Sequence, residues 1–372
     1  MFLEREIILH LSLIDGVGPG FVKYITKDYS FLVTADIYTL SETQLVEQYA
    51  LTNKRAKLLY EGLQRTEALE QELLLLKKNN IEFITPYDDS YPKNLRSNSS
   101  FPPVLYVKAT KERININDYL TLSIVSSRQT SHYGKRAIFD LIENIPISIR
   151  DRIAIVSGGA IGGDTYIHEA TLKNKIMAVS VLGSGLLSLY PKCNERLFEN
   201  ILDTGGVLLS HFPLQMQASP VTFPVRNAIV AGISSALLVV QAGKKSGTLI
   251  TANYALEYGR TVGAVPGQID DPLMVEANNL IKQGAVCVTS SYDLLSLLGY
   301  SFQEEDFSQK KELYSGCTKL QKNILNVCVH PHSIEELAVI LEVSSSELYN
   351  EILYLTSKQY LKEDVLGCFL RV

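Results

Sequence analysis

Four short stretches rich in glycine and serine hold the residues of this sequence best able to do chemistry. They are SSR (Ser126, Ser127, Arg128), SGGAIGGD (Ser157 to Asp164), GSG (Gly183 to Gly185) and GKKSGT (Gly243 to Thr248), and each follows a short apolar run. Glycine lets backbone N–H groups approach a ligand closely, and serine adds hydroxyl donors, so such loops can surround an anion. Arg128, Lys192, Arg226, Lys244 and Lys245 lie in or near these stretches, and FPVRN (Phe223 to Asn227) sets an aromatic ring beside a guanidinium. A base stacked on Phe223 while Arg226 meets a phosphate is the chemistry of single-strand binding, with each stacked base contributing about 1–3 kcal/mol. The expected contact set is Ser127, Arg128, Ser157, Gly158, Gly183, Lys192, Phe223, Arg226, Asn227, Lys244, Lys245, Ser246 and Gly247.

Catalytic arrangements are weaker. His132, His168 and His211 lie far apart with no metal-ligand spacing, and each is expected to be structural. The five cysteines form no C-x-x-C pair, which argues against a zinc site and a disulfide framework. No metal, cofactor or catalytic residue is expected. GSGLLS lacks the third glycine of a dinucleotide fingerprint. Asp164 is expected to act as a helix N-terminal partner. GKKSGTLIT resembles the P-G-G-x-G-T motif of the lysine-decarboxylase-like nucleotide phosphoribohydrolases, the alternative enzyme reading. Their catalytic glutamate would fall at Thr251, and the next carboxylate in sequence is Glu257.

The elements that must position these loops follow from hydrophobic patterning. LSIVSS, IAIVSG, MAVSVLG, GVLLS, ALLVVQA, TVGAVPG and AVCVTS alternate with helical stretches, which predicts an α/β fold with a Rossmann-like, mostly parallel, doubly wound sheet. In such a sheet the loops at the carboxyl ends of the strands share one edge. Residues 1–80 read as a small helical domain, with DGVGPG (Asp15 to Gly20) resembling the hairpin of helix-hairpin-helix modules. The segment 81–108, with Pro86, Pro92, Pro102 and Pro103, reads as a connector into the domain spanning 81–300. A polar linker over 301–317 leads to 318–372, where three helices and a hairpin predict a winged-helix domain with Ser344 or Ser345 as a cap.

Charge is distributed unevenly over the 372 residues. The net charge is -5, yet residues 121–300 carry 14 cationic against 13 acidic side chains, whereas 301–372 carry 7 against 11. Nucleic acid therefore requires a few cations converging on one groove, since phosphate binding follows the local field. The last unit, with Glu347 and Glu351 on its expected recognition helix, favours a protein partner or packing over a major groove. No run of 18 apolar residues and no leader-like start is present, so a soluble, cytoplasmic chain is expected.

The motifs SIVSSRQTSHYG, VSGGAIGGDTYIHEATL, VLGSGLLSLYPKCNERLFENI and LLSHFPLQMQASPVTFPVRNAIV, followed by TVGAVPGQIDDPLMVEANNLIKQGA, resemble in order and spacing the DNA-processing family DprA/Smf. The resemblance spans roughly 81–300. It implies a bacterial cytosolic protein that binds single-stranded DNA in natural transformation, forms a homodimer and helps load the RecA recombinase. It assigns Arg128 to the family's G-S-R motif, Lys192 to the lysine after Tyr-Pro, and Phe223, Arg226 and Asn227 to F-P-x-R-N. Ser126 replaces a usual glycine, and Ile161, Val225 and Ala228 stand where family arginines are common, so weaker DNA binding is implied.

Overall fold

The computed structural model describes residues 3–27, 29, 33–98, 101–110, 114–244, 246–300, 317–328, 331–358, 360–364 and 367–371. Two compact units divide the chain, Met1–Tyr300 and Ser301–Val372.

The first unit opens with helices α1 (Glu4–Leu13), α2 (Pro19–Ile25), α3 (Glu42–Tyr49), α4 (Asn53–Leu63) and α5 (Glu67–Lys78). Apolar residues recur along them at helical spacing, and Ser41 and Thr52 accept N–H bonds that cap α3 and α4. Nine strands follow: β1 (Glu82–Ile84), β2 (Leu105–Ala109), β3 (Leu120–Val125), β4 (Ile153–Ser157), β5 (Met177–Val181), β6 (Val207–Ser210), β7 (Ala236–Val239), β8 (Thr261–Ala264) and β9 (Val286–Cys287). They form one sheet in the order β1-β2-β6-β5-β4-β3-β7-β8-β9. Pairing is parallel from β6 through β9 and antiparallel at β1-β2 and β2-β6.

All seven apolar runs of the sequence became β3 to β9. The segment 81–108 is more than the connector expected of it, because β1 and β2 extend the sheet beyond β6. The crossovers carry α7 (His132–Glu143), α9 (Gly163–Lys173), α10 (Glu195–Asp203), α11 (Thr222–Ile233), α12 (Gly247–Glu257) and α13 (Val275–Lys282), with short helices α6 (Lys93–Arg96), α8 (Ile147–Arg150) and α14 (Ser291–Ser296). Strand residues alternate between two cores. Ala178 and Leu208 join the core shared by α1 to α5 and α10, whereas Val179, Val207 and Leu209 join Ile229 of α11 and Ala252 of α12. Both faces of the sheet are therefore covered, which is why β4 to β7 are buried throughout apart from the first residue of β5.

The strand order reverses at β3. From there β4, β5 and β6 proceed one way while β7, β8 and β9 proceed the other. A crevice opens at the carboxyl ends of β3 and β7, the position where doubly wound sheets take ligands.

The second unit holds helices Lys319–Val327, Ile334–Leu341 and Ser345–Ser357 and an antiparallel hairpin of β10 (Leu361–Glu363) and β11 (Phe369–Arg371). Ser344 caps the third helix by accepting the Glu347 N–H. Ile324, Leu325, Cys328, Leu337, Leu348, Ile352, Leu355, Leu361 and Phe369 make its core. The greater part of the expected linker, 301–316, lies outside the described residues. Among the described residues, no helix is long and apolar enough to cross a membrane.

One buried carboxylate ties the N-terminal helices to the sheet. Glu72 of α5 is 7% exposed, and its Oε1 accepts the backbone N–H of Leu214 at 2.8 Å. Leu214 in turn accepts the Leu187 N–H through its own carbonyl, steadying the loop after β5. Glu72→Ala would leave the buried Leu214 N–H unsatisfied, so we expect a loss of about 1–3 kcal/mol in urea unfolding. Glu72→Gln, which keeps an acceptor, is expected to lose less, and equal losses for the two would refute the assignment.

Candidate nucleic-acid interface

Three of the four glycine-serine loops and the start of α11 line a groove of about 620 Å3 at the crevice beyond β3 and β7. Ser126 to Gln129 come from the end of β3, Gly158 and Ala160 from the loop after β4, and Ser246 to Thr248 from the loop that begins α12. Phe223, Arg226 and Asn227 of α11 and Asp164 of α9 line it as well. The fourth loop enters a smaller adjoining cavity of about 70 Å3, lined by Gly183, Tyr190 and Pro191 together with Arg128, Ile161 and Phe223. Ser246 caps α12 by accepting the Thr248 N–H at 3.2 Å, so the positive end of an 11-residue helix faces the groove.

Among the described lining residues, Arg128 is the exposed cation of the groove. Its guanidinium carbon lies 5.0 Å from the Phe223 ring centroid, so the ring is partly covered by charge. On the same ring, Tyr190 makes a tilted contact with centroids 5.9 Å apart. The loop between β3 and α7 is held by the Gly163 N–H donating to the Ser127 carbonyl at 3.0 Å. At Gly162 the φ of +83° and the closeness of the Arg128 carbonyl leave no room for a side chain.

Arg226 does something other than expected. Its side chain is buried, its Nη1 lies 3.8 Å from Asp164 Oδ2, and the same nitrogen donates to the Val181 carbonyl at 2.9 Å. Its Nε donates to Asn227 Oδ1 at 3.1 Å, and the Asn227 amide donates to the Gly247 carbonyl at 3.2 Å. Burial pulls the Arg226 pKa down from its ordinary value, and Asp164 opposes that fall. Arg226 thus lines the groove while its Nε and Nη1 brace the loops around it.

Ser157 is likewise buried, and its hydroxyl donates to the Ile124 carbonyl at 2.8 Å and to Asp164 Oδ1 at 3.3 Å. Asp164, expected as a helix N-terminal partner, also accepts the Ala160 N–H at 3.1 Å. Gly158 has no space for a Cβ, because the Arg226 guanidinium and the Asp164 carboxylate occupy it. Lys192 sits exposed in a single helical turn, Lys192–Asn194, just after the Pro191 that lines the smaller cavity. Lys244 is exposed in the turn before Ser246, and Lys245 lies outside the described residues.

The histidines are framework groups or lie off the groove. His168 is fully buried with Nε2 at 2.7 Å from the Gly158 carbonyl, and desolvation lowers its pKa. Desolvation also pushes His211 down to about 4. His132 is exposed at the first turn of α7.

With this geometry in place, residues 82–299 match the profile of the DNA recombination-mediator protein A family. The chain belongs to that family. It is 34% identical over 249 residues to Protein Smf of Escherichia coli, covering 67% of this chain and 65% of that protein. The match thus spans slightly under two thirds of the Escherichia coli protein. The X-ray structure of DNA processing protein A from Streptococcus pneumoniae superposes with a TM-score of 0.67 at 27% identity, covering 82% of this chain and all of that one. DNA processing protein A from Helicobacter pylori, described for its single-stranded DNA binding mode, shares the fold with a TM-score of 0.51 at 22% identity, covering 59% of this chain and 95% of that one.

Among its described lining residues the groove carries two cations, Arg128 and Arg226. Ile161 and Val225, where the resemblance implies arginines, are 49% and 41% exposed. Sequence reasoning missed Tyr190, although LYPKCNE displayed an aromatic beside Lys192. It also missed Asn194, whose amide donates to the Gly159 carbonyl at 3.0 Å and fixes the loop after β4. Nothing local marks an asparagine for that task.

The Asp164–Arg226 pair yields a direct test. Asp164→Ala strands a buried guanidinium and is expected to cost about 3–5 kcal/mol in urea unfolding. Adding Arg226→Met should restore part of that loss. A single-variant cost below about 1 kcal/mol would show that the pair does not hold the loops.

Proposed function

We propose that this chain binds single-stranded DNA in the groove beyond β3 and β7, and that it does so as a non-catalytic DNA-processing protein of natural transformation. The observation that carries the reading is the convergence of the loops after β3, β4, β5 and β7 on one strand edge around Arg128 and Phe223. Backbone N–H groups at the start of α12 and the side chains of Ser126, Ser127, Asn227 and Thr248 offer donors and acceptors to bases and phosphates. The guanidinium of Arg128, backed by Phe223, offers a flat charged surface on which an unpaired base stacks. The family match and the single-strand binding named for the Helicobacter pylori relative support the same reading.

In this proposal the contacts are Ser127, Arg128, Gly158, Phe223, Asn227, Ser246 and Gly247, with Lys192, Lys244 and Lys245 as outlying cations. Ser157, Gly183 and Arg226 form the support. The domains are a helical 1–80, a DNA-binding 81–300, a linker 301–317 and a winged helix 318–372. The protein works in the cytoplasm as a homodimer and passes the strand to the RecA recombinase, without metal or cofactor.

Few exposed cations mean few released counterions. We expect binding to oligo-dT to exceed binding to duplex of equal length, with a shallow salt dependence. Arg128→Ala should weaken oligo-dT binding at least tenfold and reduce the log–log salt slope by about 0.7, one phosphate contact's worth on a single strand. Unchanged affinity for oligo-dT would overturn the site assignment.

The groove's carboxylates weigh against the phosphoribohydrolase alternative. Among the described lining residues the one carboxylate is Asp164, which is already paired with Arg226, while Thr251 is buried at the place of the catalytic glutamate. Incubation with nucleoside monophosphates is accordingly expected to release no free base above a blank. Release proportional to protein concentration through two independent purifications would restore the enzyme reading.

A further inference from the structure

The second unit bears an apolar outer surface that its core does not use. Along helix Ser345–Ser357, Leu348, Ile352 and Leu355 face inward and are at most 3% exposed. Tyr349 and Leu353, one turn apart, are 58% and 61% exposed, and Tyr354 is 42% exposed. On the adjacent helix Ile334–Leu341, Val339 and Ile340 are 79% and 50% exposed while Leu337 is buried. An ordinary surface helix is polar opposite its core stripe, so Tyr349, Leu353, Val339 and Ile340, large and exposed on two neighbouring helices, call for a partner.

Charge selects the partner. From Ile334 to Lys358 the chain carries Glu335, Glu336, Glu342, Glu347 and Glu351 against a single cation, Lys358. Lys358 lies over the Tyr354 ring at 5.8 Å. A duplex or an anionic bilayer is repelled by such a surface, and so is a second copy of the same acidic unit. A helix with an apolar row at i, i+3, i+4 and i+7 flanked by lysine or arginine satisfies both features at once. We infer that the outer face of helices Ile334–Leu341 and Ser345–Ser357 is a docking surface for a basic amphipathic helix of a partner protein.

The test uses the full chain and fluorescein-labelled 18-residue peptides. One has leucines at i, i+3, i+4 and i+7 with lysine elsewhere, a second has glutamate in place of lysine, and a third is the lysine peptide with its leucines scattered. Saturable anisotropy is expected with the first peptide alone, at least tenfold tighter than with either control. Tyr349→Ser with Leu353→Ser should weaken that binding at least tenfold while leaving far-UV circular dichroism, the unfolding midpoint and oligo-dT affinity unchanged. Glu335→Gln with Glu342→Gln should weaken it and flatten its salt dependence. Equal binding of all three peptides, binding unchanged in the serine variant, or absence of binding would each overturn the inference. A concentration-dependent dimer that the serine variant abolishes would assign the face to a second copy instead and would also overturn it.

Discussion

Arg226 and Asp164 meet beneath the groove with side chains 7% and 10% exposed, and the arrangement of the loops rests on that meeting. A guanidinium removed from water costs several kcal/mol unless it is paired and its N–H groups are used. Each bond that offsets this cost fixes a different loop. Asp164 draws in the Ser157 hydroxyl and the Ala160 N–H after β4, Arg226 holds the Val181 carbonyl at the end of β5, and Asn227 relays the contact to Gly247 at the start of α12. Gly158 makes the pair possible, because any side chain there would displace it.

Bracing the loops with Arg226 limits how much of its charge reaches the groove. Among the described lining residues Arg128 remains as the exposed cation, and it is itself layered on Phe223. The groove then offers more hydrogen-bonding groups and stacking surface than positive charge. Such a surface favours exposed bases over a phosphate backbone, since backbone affinity scales with the number of phosphates neutralised. Ile161 and Val225 push in the same direction by placing apolar groups where the resemblance implies arginines.

The two units answer to different electrostatics within one chain. Residues 121–300 are close to charge balance, whereas 301–372 is acidic. A helix-rich unit with an acidic, apolar outer face is a poor reader of duplex DNA and a good receiver of a cationic helix.

Sequence alone determined the seven runs that became β3 to β9 and the glycine-serine loops after four of them, because a parallel strand buried on both faces must be nearly continuous in apolar residues. Motif order was enough for the family, since spaced glycines and FPVRN are local features. Tertiary structure decided which charges were free. Arg226 and Arg128 are the same residue type in equally motif-like settings, and only the docking of α11 near the start of α9 brings Asp164 against one of them. The place of β1 and β2 in the sheet was hidden for the same reason: β2 joins the sheet through β6, about a hundred residues further along, and β1 pairs only with β2. The exposure of Tyr349 and Leu353 also depended on packing, because a helix apolar on two faces does not announce which one the core will take.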